Sequence, residues 1–208
     1  MNTSQNDWVT TLADLAAIYK RPSDRSIGKE LDHVDALGRA FIAASPFVVL
    51  ATGSPQGLDC SPKGDRPGFV QVENDGRTLL IPDRPGNNRI DGLKNIVEDP
   101  RIGLIFFAPG ANETFRVNGQ ARISSDPKLR RRFVVDSKEP LAVIVVTVEQ
   151  AFQHCPKALV RSNFWEAGSG GRPEGVPTLG DFAAARNNGV DSAAFNAEYA
   201  NRMPNELY

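Results

Sequence analysis

Three short polar segments set basic side chains among glycines, amides and hydroxyls in a pattern that could bind an anion. The first, Asp59-Cys60-Ser61-Pro62-Lys63-Gly64-Asp65-Arg66-Pro67-Gly68, sets Lys63 and Arg66 among glycines that let backbone N–H groups come close to a ligand. The second, Pro82-Asp83-Arg84-Pro85-Gly86-Asn87-Asn88-Arg89, leads into an expected helix. The free N–H groups and positive dipole end of a helix N-terminus suit phosphate, and Arg84 and Arg89 add forked donors. The third, Asn112-Glu113-Thr114-Phe115-Arg116-Val117-Asn118-Gly119, places Thr114, Arg116 and Asn118 on one face of a strand by period-two alternation. Taken singly, each has a plainer reading, as a solvated basic loop residue or an ordinary Gly/Asn turn. Their joint occurrence favours binding. Neither GxxxxGK(S/T) nor GxGxxG occurs, which argues against nucleotide folds built on those loops.

Other reactive side chains point to structure. His154 and Cys155 are adjacent, but neighbours on an extended chain face opposite ways, so mutual activation is disfavoured and structural roles are expected. Arg130-Arg131-Arg132 reads as a solvated helix face. Phe106, Phe107 and Phe115 alternate on apolar strands and are expected in the core. The two cysteines, Cys60 and Cys155, follow no metal spacing.

Composition excludes several classes. A net charge of −1 gives no basic field for nucleic acid or an anionic membrane. The longest apolar stretch, Leu141–Val148, is far too short to span a bilayer. The first twenty residues lack a basic region followed by an apolar one, so no signal peptide is read there and a cytoplasmic location is expected. With 208 residues and 40% hydrophobic content, the chain can bury a sizeable core without disulfides or metals.

The elements that must position the polar segments are mostly strands. Residues 8–20 read as a helix, and a second helix is expected from Gly28 to Ala44, ended by Pro46. Strands follow at Phe47–Thr52, Leu58–Pro62, Phe69–Val72, Thr78–Ile81, Ile102–Phe107, Thr114–Ile123 and Leu141–Val148. Asn74-Asp75-Gly76-Arg77 is a hairpin turn. Helices are expected at Asn88–Glu98 and Pro127–Asp136. His154–Trp165 reads as a loop or short helix, Gly168–Pro177 as a linker, and Asp181–Asn188 and Asp191–Arg202 as short helices. The spacing suggests an antiparallel barrel or sandwich, not βαβ units.

In order and spacing, five stretches resemble the pyridoxamine 5′-phosphate oxidase-related flavoproteins, in the branch with SPKGD and PGNNR patterns. They are Ser61-Pro62-Lys63-Gly64-Asp65, Ile81–Ile96, Asp99–Phe107, Phe115–Gly119, and His154-Cys155-Pro156-Lys157-Ala158 with Arg161, Ser162 and Trp165. The resemblance spans roughly residues 30–166. It implies a mainly β (α+β), antiparallel Greek-key split β-barrel binding flavin mononucleotide (FMN) at a homodimer interface. The regions would be 1–45 for the N-terminal helices, 46–166 for the barrel, and 167–208 for a linker and short helices packing on the barrel or the partner subunit. By the same resemblance, Ser61, Pro62 and Lys63 run beside the flavin ring, with Lys63 at its N1–C2=O edge. Asn88 and Arg89 match the segment that holds the FMN phosphate, and Arg84 and Asn87 just before them are expected to bind the cofactor too. Thr114 falls where the family places a polar flavin contact, and Arg116 follows on the same face and is expected to bind the cofactor. Arg161, Ser162 and Trp165 lie where related enzymes reach over the flavin of the other subunit. The implied function is an FMN-dependent oxidoreductase acting on a small molecule. The alternative is a non-catalytic FMN carrier or redox sensor. The family's vitamin B6 oxidases share a C-terminal Arg-x-His motif; His33 and His154 are the only histidines here and neither lies in one, which argues against that substrate.

Overall fold

The strands form where β-branched and aromatic residues alternate with small or polar ones, and they assemble into one antiparallel sheet. The computed structural model of the chain describes residues 8–167 and 170–208. Two units separate, Met1–Glu30 and Leu31–Tyr208. In the first, α1 (Leu12–Ile18) starts at a Thr11–Asp14 capping box, and α2 (Asp24–Ile27) is capped by Ser23. The helix expected over 8–20 is therefore shorter. Thr11 stays extended so that its hydroxyl can accept the Asp14 N–H.

In the second unit α3 (Ala36–Ala44) is followed by β1 (Phe47–Ser54), β2 (Gly57–Gly64), β3 (Gln71–Val72), β4 (Thr78–Asp83), α4 (Asp91–Glu98), β5 (Arg101–Phe107), β6 (Thr114–Ser124), α5 (Pro127–Arg131) and β7 (Ala142–His154). Then come α6 (Lys157–Arg161), α7 (Phe164–Ala167), α8 (Leu179–Arg186), α9 (Ser192–Arg202) and a closing 3-10 turn. The expected linker over Gly168–Pro177 begins on residues outside those described. The helix expected from Gly28 is broken: Asp35 caps α3 by accepting from the Gly38 N–H at 2.8 Å, and Leu31 pairs with Ala151 as an isolated bridge.

The sheet order is β2-β1-β5-β6-β7-β4-β3, all neighbours antiparallel, and it is not closed. This open sheet with flanking helices is the split-barrel architecture. Val48, Leu50, Leu104, Phe106, Val117, Ile144 and Val146 fill its concave side. Each such side chain contributes about 1.5–3 kcal/mol by leaving water. Helix α3 seats Ile42 in this core and brings Phe41 to 6.1 Å from Phe115. Phe107, expected in the core with Phe106, points the other way.

Two strands outrun the sequence reading. Strand β7 continues six residues past Val148 because a bulge at Glu149 resets its side-chain parity: Gly119 pairs with Val148, but Asn118 pairs with Gln150. The inward set switches from Ile144, Val146 and Val148 to Ala151, so period two fails across the join. Gly119 permits this approach, since a Cβ there would collide with the Thr147 carbonyl. Strand β2 continues through Pro62 to Gly64 because β2 lies at the sheet edge, where a missing N–H costs no ladder bond. Conversely β3 is shorter than expected, with Phe69 and Val70 buried but outside the ladder, and α5 stops at Arg131.

Candidate functional site

Five ladder steps separate β2 from β4, which in a flat sheet would place them about 24 Å apart. Yet Lys63 Nζ lies 2.6 Å from Asp83 Oδ1. The sheet therefore curls until its two ends face each other across a seam, and side chains bridge what backbone hydrogen bonds leave open. A second bridge runs beside the first with its charges reversed. Arg84 Nε and Nη2 each lie 2.9 Å from Asp65 Oδ2.

Beside this seam lies a cleft of about 470 Å³. Strand β2 supplies one wall, with Asp59, Ser61 and Lys63 on the same face by period two. The segment after β4 supplies another, and the start of α4 supplies the floor. Helix α4 begins at Asp91, three residues later than expected, because Asn88 (φ 57°) and Ile90 (φ 50°) are left-handed. Asparagine adopts this conformation readily, whereas β-branched isoleucine is strained in it. No side chain caps the first turn of α4. Gly92 in that turn passes so close to β2 that a Cβ would stand 2.8 Å from Asp59 Oδ2. Ser61 Oγ donates to the same Asp59 carboxylate.

Of the sequence-predicted residues, Ser61, Pro62, Lys63, Arg84, Asn87, Asn88 and Arg89 all border this cleft. Three cations, Lys63, Arg84 and Arg89, face three carboxylates, Asp59, Asp83 and Asp91. Arg84 is committed elsewhere: besides Asp65, its Nη1 donates to the Phe133 carbonyl at 2.7 Å, and its guanidinium lies 5.2 Å from the Tyr208 ring centroid. Arg89 is mostly exposed, and its Nε and Nη2 meet Asp91 at 2.9 and 2.8 Å. Hydrogen bonds from Arg89 and then Lys94 hold the Asp91 carboxyl below its ordinary range. Burial pushes the Asp65 carboxyl up, but the Tyr208 phenol, the Arg66 N–H and Arg84 outweigh it and leave the carboxyl lowered.

The other predicted residues lie away from the cleft. Thr114 and Arg116 lie on the convex face, in register with Phe107 and Ile105 of β5 and, beyond them, Phe47 and Val49 of β1. The Thr114 hydroxyl is buried and, among the described residues, has no hydrogen-bond partner. Arg116 stacks 5.2 Å over Phe152. Arg161 Nε and Ser162 Oγ donate to the carbonyls of Lys157 and Leu159 in their own helical turn. Trp165 Nε1 donates to the Ala111 carbonyl at 2.8 Å, and its ring joins Phe47, Phe107 and Phe164 around an apolar pocket of about 340 Å³.

Sequence reasoning assigned no role to Asp59, Asp65, Asp83, Gly92 or Tyr208. Asp59 stands two residues before Ser61, so alternation alone puts it on the same wall. Asp83 abuts Arg84. Tyr208 carries no such signal, because its phenol reaches Asp65 from 143 positions away.

The sequence matches the pyridoxamine 5′-phosphate oxidase family over residues 35–155. No curated protein matches it. Among solved structures it is similar to a candidate pyridoxamine 5′-phosphate oxidase of Lactobacillus delbrueckii, with 20% identity, 60% of this chain and 98% of that one covered, and a TM-score of 0.46. HupZ of Group A Streptococcus gives 21% identity, 55% and 89% coverage, and a TM-score of 0.45. General Stress Protein 26 of Bacillus anthracis gives 16%, 55% and 88%, and 0.42. Among the described residues no helix is long and apolar enough to cross a membrane.

Proposed function

Because the chain belongs to the pyridoxamine 5′-phosphate oxidase family, we propose that it is an FMN-dependent oxidoreductase acting on a small molecule, with the flavin held in the cleft between β2 and α4. The observation that carries this reading is the convergence of seven residues, from Ser61 to Arg89, on one cleft. Its volume lies in the range of small-ligand sites. The uncapped first turn of α4, the left-handed turns at Asn88 and Ile90, and exposed Arg89 fit a phosphate. Lys63 and Ser61 fit the polar edge of a flat heterocycle. FMN supplies hydride chemistry when bound; the protein's part is to bind, orient and set local charge.

The protein works as a homodimer in this reading. The convex face of β2-β1-β5 carries Leu58, 92% exposed, and Phe47, 40% exposed, beside Val49, Ile105 and Phe107. A face this apolar suits burial against another chain. Thr114, Arg116 and Trp165 lie on or beside it, so a second copy would bring them toward the first copy's flavin. The same reading places the protein in the cytoplasm.

The test is titration of purified protein with FMN, followed by a screen of electron donors and acceptors. Yellow protein, weakened about tenfold or more in FMN affinity by Arg89→Ala, supports the reading. Colourless protein that ignores added FMN sinks it.

A further inference from the structure

We propose that Asp83 is an exchangeable counter-ion that occupies Lys63 until a ligand takes its place, so that this carboxylate sets how tightly the cleft holds a flavin ring. The inference rests on the flavin-binding reading above and adds a residue that opposes binding.

The two bridges across the seam differ in kind. Asp65–Arg84 is fixed. Arg84 spends its fork on Asp65 and the Phe133 carbonyl, and Asp65 also accepts from the Tyr208 hydroxyl at 2.7 Å and the Arg66 N–H at 2.7 Å. Each side chain thus has hydrogen-bond partners outside the pair. Lys63–Asp83 is a single contact. Among the described residues Lys63 is the side-chain partner of the Asp83 carboxylate, and among them the Lys63 ammonium makes no other hydrogen bond. Both groups border the cleft, with side chains 23% and 10% exposed.

An ammonium is a compact charge on a flexible stem and can turn to a new acceptor, whereas a guanidinium fork is bound by geometry. A ligand presenting a carbonyl or ring-nitrogen acceptor beside β2 would compete with Asp83 for Lys63. Loss of the ion pair then opposes binding, and by reciprocity ligand binding loosens this bridge while the Arg84 bridge holds the seam.

Asp83→Asn keeps the shape and removes the charge. It should bind FMN and riboflavin more tightly by a similar factor, about tenfold, because the competition concerns the ring and riboflavin lacks the phosphate. The same variant should melt at a lower temperature than the wild type. A merely structural bridge would weaken binding and stability together, so opposite signs are the diagnostic. In a Lys63→Met background the Asp83→Asn change should alter flavin affinity less than about twofold. That comparison serves even if the single variant is poorly stable. Unchanged or weaker flavin binding by a folded Asp83→Asn protein overturns the proposal, and so does an equal gain in the Lys63→Met background. If wild-type protein binds neither FMN nor riboflavin, the flavin reading itself falls and this inference falls with it.

Discussion

Arg84 grips Asp65 with two nitrogens at 2.9 Å each, across a seam that no backbone hydrogen bond closes. The Asp65 side chain is 3% exposed and that of Arg84 14%. Breaking a buried pair from one side strands the other charge, at a cost of about 3 kcal/mol. Arg84→Ala and Asp65→Asn should each lower urea-unfolding stability by about that amount. Arg84→Lys should recover little, since it cannot serve Asp65 and the Phe133 carbonyl together. A loss under about 0.5 kcal/mol, typical of surface changes, would show that the seam is held by packing instead.

The same carboxylate makes stability acid-sensitive. Burial alone would raise the Asp65 pKa, but hydrogen bonds from Tyr208, Arg66 and Arg84 leave it below the ordinary 3.8. A group depressed on folding stabilises fully above its unfolded pKa and loses that contribution as pH falls through its folded one. Wild-type stability should therefore drop as pH falls below about 4, and Asp65→Asn should show a shallower drop. Tyr208→Phe should cost about 1 kcal/mol near neutral pH for one lost hydrogen bond. Equal acid slopes for wild type and Asp65→Asn would assign the sensitivity to other carboxylates.

A second acid-sensitive carboxylate ties α8 to α9. Asp181 accepts from Ser192 Oγ at 2.6 Å and from the Thr178 N–H and hydroxyl at 2.7 Å each, and these hydrogen bonds, led by that from Ser192, bring its pKa to about 2. The folded value is depressed, so the lock is complete above the ordinary carboxylate pKa and fails as pH falls through about 2. Amide exchange over residues 178–202 should accelerate in Asp181→Asn at neutral pH while the sheet stays protected. Unchanged exchange there would mean the hairpin is held by other contacts.

Most of the split barrel was legible because its strands alternate cleanly and its turns carry Gly, Asn and Asp. The errors fall where local pattern and three-dimensional pairing part company. The bulge at Glu149 flips parity, so β7 looked finished at Val148. Pro62 looked like a strand end because its tolerance depends on β2 being an edge, a property of the whole sheet. At the cleft, the cations could be read from residue type and spacing. Their counter-ions could not, because the pairing of Lys63 with Asp83 and of Arg84 with Asp65 depends on the curl of the sheet. The separation of Thr114, Arg116 and Trp165 from the cleft likewise follows from which side of the sheet each strand presents.

Gly92 tests whether α4 must lie hard against β2. A Cβ there would meet Asp59 Oδ2 at 2.8 Å, with Thr52 Oγ1 at 3.5 Å and Ser61 Oγ at 3.6 Å. Gly92→Ala gains helix propensity, up to about 1 kcal/mol, but the overpacking costs about 1–3 kcal/mol. The clash should win, with a net loss of stability and weaker FMN binding, because the first turn of α4 must shift. A more stable Gly92→Ala protein with unchanged FMN affinity would mean that Asp59 moves aside freely.

The convex face decides whether one chain suffices. Phe47 is 40% exposed beside Phe107, Phe164 and Trp165, and that face carries Arg116 and the buried, unpartnered Thr114 hydroxyl. If a second copy covers it, replacing Phe47 by Asp puts a charge into an apolar interface, which is costly without a partner. Sedimentation velocity at micromolar concentration should give a dimer for wild type and a monomer for Phe47→Asp. FMN affinity should fall in the variant even though Phe47 lies outside the cleft, because each site would lose the residues the other copy brings to it. Core strands should stay protected in hydrogen exchange, which separates lost assembly from lost folding. A wild-type protein that sediments as a monomer yet binds FMN would show that the cleft works alone, and would leave Thr114, Arg116 and Trp165 without a part in it.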